Sequence, residues 1–409
     1  MHVLKMVAAA LSLLAVNGIT CAALASPSIE QCLEQADLPG CFIVVEGNDA
    51  WRTARSAWLE QHEQRLAEQD EGSQRGGSVC AVPELPRPIS PRKTVGNGTP
   101  ASCTESRLRR ALSGGGTIAF SCGSSPVIIP IRSELVIANR TVLNGGGTIT
   151  LDGQNRTRII RNNSELTLKR ITLARGRADV VWDGRPNGGG AVNTTYGKRL
   201  YVVDSIFVGN RASKQGFGGA IFQAGAGALT VVRSRFENNV GGGGGAIYSL
   251  LAELRVINSA FVRNRNSSGW HGGGGIMTDG ASANSGSGGS GGAIRICGSR
   301  FRRNQALATG GGAYLYAYGR DTVRVTRSTF IGNSVVPNDG GVSMGGGLRL
   351  GASPALVSDT TFRNNTARIG GAIATNGART RVEDSTFKCN SSNIHGGNVL
   401  SEGNTTLGC

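Results

Sequence analysis

Leu229-Thr-Val-Val-Arg-Ser-Arg-Phe236-Glu-Asn-Asn239-Val-Gly-Gly-Gly-Gly-Gly-Ala-Ile247 is the stretch that decides the fold. An alternating apolar run ends in a Phe-x-x-Asn step, a glycine cluster follows, and a new apolar strand begins. The Phe-x-x-Asn step occurs seven times, at Phe207/Asn210, Phe236/Asn239, Phe261/Asn264, Phe301/Asn304, Phe330/Asn333, Phe362/Asn365 and Phe387/Asn390. After each comes a glycine cluster with an apolar strand: GGAI at 218–221 and 244–247, GGGI at 273–276, GGAY at 311–314, GGLR at 346–349, GGAI at 370–373 and GGNV at 396–399. Successive phenylalanines lie 29, 25, 40, 29, 32 and 25 residues apart.

A unit of that length with short alternating strands cannot bury its apolar side chains alone, but stacking the units does so. In a parallel solenoid each strand lies about 4.8 Å from its counterpart one coil earlier. The recurring Phe then forms an internal ring stack, and the recurring Asn forms a ladder at a turn. Asn tolerates left-handed backbone and glycine pairs allow sharp bends, so one residue type per rung implies one repeated turn geometry. Leucine-rich and ankyrin repeats need spacings and helices that are missing here, and a propeller blade needs about 40 residues. The chain therefore reads as all-β: a single right-handed parallel β-helix over residues 101–409 with a small helical N-terminal extension. Ser102-Cys-Thr-Glu105 has capping-box spacing ahead of Leu108, Ala111 and Leu112, which predicts a short helix plugging the N-terminal end. Thr148-Ile-Thr-Leu151 and Leu166-Thr-Leu168 read as strands of less regular early coils.

Composition agrees with such a fold. Glycine makes up 63 of 409 residues and aromatics only 5%, so rings cannot dominate the core, and no collagen period is present. With 43 Lys and Arg against 27 Asp and Glu, the net charge is +16. Residues 1–25, with Lys5, an apolar run from Val7 to Val16 and Ala23-Leu-Ala25, read as a secretory signal, predicting a secreted or cell-surface protein. No later stretch suits a membrane helix, so no integral membrane segment is expected after cleavage. Residues 26–100 read as an extension: one helix with Trp51, Ala54, Trp58, His62 and Leu66 on a stripe, then a Pro-rich extended linker over 82–91. Cleavage leaves eight cysteines, an even number that favours disulfides in an exported chain. Close spacing points to Cys32–Cys41, Cys103–Cys122 and Cys389–Cys409, with Cys80 and Cys297 as the remainder. No cysteine or histidine spacing suits zinc, and no resident metal or cofactor is expected.

The paired FxxN and GGAI motifs resemble the repeats of the chlamydial polymorphic outer membrane proteins and related bacterial surface proteins with the pectin-lyase-like β-helix. The likeness covers about residues 200–400. It implies an exported surface β-helix with adhesive roles. In architecture alone the chain is also similar to pectate lyases and polygalacturonases, and fold does not assign function.

Excess length over a bare coil marks where loops protrude. Between the Asn rung and the glycine cluster, the chain is expanded at 174–187, 211–217, 265–271 and 334–344, which carry Asp179, Trp182, Asp183, Arg185, Arg211, Lys214, Trp270, His271 and Asp339. A second expansion, 278–290, follows the glycine strand. Trp182 and Trp270 offer ring faces to sugars, while Arg185, Arg211 and Lys214 offer charge to uronate or sulfate groups. Arginines recurring along the repeats predict stripes with a positive field, which suits an anionic polysaccharide or other cell-surface component. Export and the lack of any reading motif argue against nucleic acid. The expected function is thus an adhesin-like protein binding anionic polysaccharide. The alternative is a polysaccharide lyase or glycoside hydrolase with Asp179, Asp183 and His271 as candidate catalytic residues, Ca²⁺ entering only for the lyase.

Overall fold

The computed structural model describes residues 80–179, 188–269, 271–284, 291–336, 343–376, 379–392 and the backbone of 405–408. The expected signal and helical extension, and Cys32 and Cys41, lie outside these residues. Among the described residues the chain is a parallel β-helix of four sheets in which every strand pairing is parallel. Sheet I has eleven strands, from Arg92–Val95 to Thr380–Glu383, and sheet II eleven, from Val127–Pro130 to Thr405–Gly408. Sheet III has six short strands, from Arg177–Ala178 to Ser334–Val335. Sheet IV has nine, from Leu135–Ile137 to Ile373–Asn376. One coil runs through Arg199–Val203, Ile206–Val208, Arg211–Ala212 and Ile221–Gln223, then rises to Ala228–Val232.

The repeat residues do what their spacing predicts. All seven phenylalanines are fully buried on sheet II, with rings stacked at 4.5–5.2 Å and within 10° of parallel. Each rung Asn from Asn210 to Asn365 donates its side-chain amide to the next Asn Oδ1 at 2.9–3.0 Å. It also donates to a carbonyl one coil back, which for Asn304 is that of Phe261 at 2.9 Å. The rung Asn is not the left-handed residue, however. That conformation falls one position earlier, at Gly209, Asn238, Arg263, Arg303, Gly332, Asn364 and Cys389, leaving the Asn side chain free to point inward. A second ladder of hydroxyls, Ser205, Ser234, Ser259, Ser299, Ser328, Thr360 and Ser385, ties the corner between sheets I and II, each oxygen accepting from the preceding rung's backbone N–H.

Register on sheet IV differs from the motif alignment. Ile221, Ile247, Ile276, Ala313, Leu348 and Ile373 form one inward column. The coils at 310 and 345 therefore align as Gly310-Gly-Gly-Ala313 and Gly345-Gly-Gly-Leu348, one residue earlier than GGAY and GGLR imply. The left-handed first glycine fixes this: Gly218, Gly244, Gly273, Gly310, Gly345 and Gly370 all have φ between 59° and 75°. A Cβ on Gly218 would also sit 1.9 Å from the Ile221 carbonyl. A one-residue shift moves side chains to the other face, so Tyr314 and Arg349 point out of the solenoid.

Helix α1 (Glu105–Leu112) buries Leu108, Ala111 and Leu112 against the first coils. Its N-cap is Thr104, which accepts from the Arg107 N–H, and not Ser102, which belongs to a 3₁₀ turn at Pro100–Ser102. Glu105 instead pairs with Arg109. The Cys103–Cys122 disulfide closes this end as its spacing predicts. Cys389 is disulfide-bonded too, and Cys409 lies outside the described residues.

The Pro-rich segment is not a free linker. Cys80 is bonded to Cys297, and its backbone is clamped by both ends of the Asn258 amide. At the other end Ile89 and Pro91 bond Thr117, and Arg92–Val95 becomes the first strand of sheet I, ahead of the boundary at 101. Between the Cys297 and Thr117 strands lie six steps of sheet I, about 29 Å at 4.8 Å each. Nine residues of extended polyproline-like chain span about 28 Å. The segment is a strap laid along the axis, and the outward-facing Val142, Thr167, Val203, Thr230 and Val232 beneath its path are buried.

Candidate functional site

Of the residues expected to bind or catalyse, Trp182, Asp183, Arg185 and Trp270, with Asp339, lie outside the described residues. Asp179 is exposed and accepts from Arg177 Nε at 2.8 Å. Arg211 sits on sheet III between Arg177 and Val240 in register, and Lys214 is exposed just beyond it. His271 belongs to another neighbourhood: its ring meets Phe217 edge-on at 5.0 Å. Burial lowers its pKa, and the charge of Asp279 opposes this in part.

The arginines do form columns. On the outer face of sheet I the register runs Thr117, Val142, Thr167, Tyr201, Thr230, Arg255, Arg295 and Arg324, so the outward positions turn basic where the strap ends. Sheet II adds Arg300, Arg302 and Arg363 beside the Phe stack. The left-handed corners add Arg303 and Arg327. Between Ala293 and Asn304, and between Thr322 and Asn333, the chain has six arginines and no Asp or Glu. Asp204, Asp359 and Asp384 occupy the same left-handed corner as Arg327, with φ of 44–50°. Asp tolerates that conformation, so their shared repeat position has a backbone cause.

Sheet IV carries a surface of opposite character. Its outward column runs Phe222, Tyr248, Met277, Tyr314, Arg349, with Leu250, Asp279, Tyr316, Gly351 beside it. Phe217 and His271, at the ends of two expanded loops, pack onto this shelf: Phe217 contacts Tyr248 at 4.5 Å. Asp279 accepts hydrogen bonds from two phenols, Tyr318 at 2.5 Å and Tyr248 at 3.3 Å. Burial, together with the Asp279 charge and hydrogen bonds, raises both phenols far above their ordinary value of 10.0, which keeps them protonated donors. Asp321 holds the shelf's edge. Fully buried, its carboxylate accepts from the backbone N–H groups of Ala281, Gly292 and Tyr318 at 2.7–3.0 Å, pinning both ends of the second expanded loop.

Sequence reasoning missed Tyr248, Asp279, Tyr314, Tyr318 and Arg349. The signal was present in the position of the first glycine of each cluster, which sets which residue faces out. A pocket near the N-terminal cap is lined by Glu105, Arg109, Arg110 and Arg132, but Arg109 is taken up by Glu105, Ser133 and Glu134. Among the described residues no three His, Cys, Asp or Glu side chains converge as metal ligands, and no helix is long and apolar enough to cross a membrane. Comparison with protein-family models, curated proteins and solved structures finds no match.

Proposed function

We propose that the protein is an exported, adhesin-like β-helix that holds an acidic polysaccharide against its arginine face. The observation that carries this reading is the run of Arg295, Arg300, Arg302, Arg303, Arg324 and Arg327 over two successive coils without an acidic residue among them. Like charges directly opposite one another on a sheet destabilise it. A ligand bearing regularly spaced carboxylate or sulfate groups relieves that repulsion, and guanidinium pairs with such groups in bidentate fashion. Disulfides at Cys80–Cys297 and Cys103–Cys122 are compatible with export, and the FxxN and GGAI likeness to bacterial surface proteins supports an adhesive role.

Retention of the whole protein on immobilised polygalacturonate and on a sulfated glycan, eluted with rising salt, tests the proposal. Retention should weaken as salt screens the charges, and Arg295→Ser/Arg302→Ser/Arg324→Ser should elute at clearly lower salt. Equal elution of the triple variant, or retention indifferent to salt, refutes it. The enzymatic alternative is read from the same glycans: new reducing ends or an ultraviolet-absorbing unsaturated product would make the protein a hydrolase or lyase.

A further inference from the structure

Arg349 is the least expected residue on the aromatic shelf. It faces outward between Tyr314 and Ala374 in register, while its neighbours Leu348 and Leu350 point inward. Yet it is only 7% exposed, and among the described residues no hydrogen bond or ion pair engages its guanidinium. Its nitrogens keep some contact with water, but drawing a guanidinium with five donors largely out of water without a protein partner is still costly. Burial does lower its pKa, but an arginine stays charged at any ordinary pH. A largely buried cation without a protein partner, on a surface otherwise built of rings, has the chemistry to receive an anionic group.

We propose that Arg349 is the anion anchor of a binding site for an acidic disaccharide unit on the outer face of sheet IV. The uronate or sulfate group takes the guanidinium fork, and a sugar ring lies on Tyr314 and Tyr316, whose rings meet edge-on at 6.0 Å. Asp279 receives sugar hydroxyls. Its carboxylate offers about four lone-pair positions, and the two phenols occupy two of them. Asp279 lies two coils before Arg349, about 10 Å along the axis, the reach of two linked sugars. Tyr318, bonded to Asp279 and held by Asp321, positions that carboxylate. Tyr316 leans over Gly351, where a Cβ would come within 2.4 Å of its ring. The site lies on a different sheet from the arginine face and does not depend on it.

Calorimetric titration of the whole protein with digalacturonate, and with lactose as a neutral disaccharide, tests the assignment. Digalacturonate should bind with a Kd of about 1 mM or tighter, and lactose at least tenfold more weakly. Arg349→Met should abolish digalacturonate binding while leaving the melting temperature equal or higher, because an apolar side chain of similar length removes an unpaired buried charge. Asp279→Asn should weaken binding several-fold. The arginine-face triple variant should bind digalacturonate as the wild type does, so the two sites fail or survive separately. The proposal is overturned if digalacturonate does not bind, if both disaccharides bind alike, or if Arg349→Met lowers the melting temperature and leaves binding unchanged.

Discussion

Replacing Asn304 by Ala removes four hydrogen bonds from the middle of a ladder in a single step. The side-chain amide donates to the Phe261 carbonyl and to Asn333 Oδ1, both at 2.9 Å, and its Oδ1 accepts from Asn264 N and Nδ2 at 2.9 and 3.0 Å. Asn333 Oδ1 keeps the Asn304 backbone N–H, and Asn264 Nδ2 keeps the Phe236 carbonyl. One group is left with nothing, the Asn264 N–H, on a rung where every Asn from Asn210 to Asn365 is essentially fully buried; the Phe261 carbonyl keeps the Arg302 N–H of the sheet II ladder. The stranded N–H costs about 1–3 kcal/mol and the lost bond to the Phe261 carbonyl about 1 kcal/mol more, so the substitution should cost roughly 2–4 kcal/mol, a large part of the ~5–15 kcal/mol that holds a typical domain together. Asn390, half-buried, accepts from Asn365 and has no following rung among the described residues, so Asn390→Ala should cost distinctly less. Urea unfolding followed by far-ultraviolet circular dichroism measures both. An Asn304→Ala variant within about 0.5 kcal/mol of wild type, the range of an ordinary surface substitution, would show that the ladder does not couple the coils.

Three further outcomes follow from the same geometry. His271 has a pKa below 6.5 in the folded protein, so below 6.5 the unfolded chain binds more protons; its contribution is fully present above 6.5 and is lost as pH falls through that value. Urea midpoints on either side of 6.5 should show this loss, and His271→Gln should reduce it. Replacing Cys80 and Cys297 together by Ser should release the strap, cost about 2–5 kcal/mol, and open 81–91 to proteolysis while Cys103–Cys122 stays intact. In an alkaline spectrophotometric titration, the step at the ordinary phenol value of 10.0 should account for fewer than the six tyrosines present, and Asp279→Asn should bring more of them into it.

The coil was legible because its defining residues are chemically singular. Only one Phe and one rung Asn recur per unit, and each has one place to go, so the ring stack and amide ladder follow from their spacing. The hydroxyl ladder was hidden because Ser and Thr recur throughout a polar, glycine-rich chain, and nothing local separates Ser299 from its neighbours. The strap was legible as extended but not as docked, since Cys80 meets Cys297 across 217 residues of sequence. The aromatic shelf was lost to a register ambiguity. In Gly310-Gly-Gly-Ala-Tyr314 three glycines allow two alignments, and only the positive φ of Gly310 decides whether Tyr314 faces in or out.

Everything said of columns rests on the register between successive coils, which engineered disulfides report directly. On the outer face of sheet II, Thr329 lies opposite Thr361, and Ile331 opposite Arg363. Opposed Cα atoms on adjacent parallel strands are about 4.8 Å apart, within disulfide reach, whereas the diagonal from Thr329 to Arg363 is about 8 Å and beyond it. Mass spectrometry of oxidised double-cysteine variants should find a new bond in Thr329→Cys/Thr361→Cys and in Ile331→Cys/Arg363→Cys, and none in Thr329→Cys/Arg363→Cys. A bond in the diagonal variant with none in the opposed pairs would contradict the stacking, and with it both proposed surfaces.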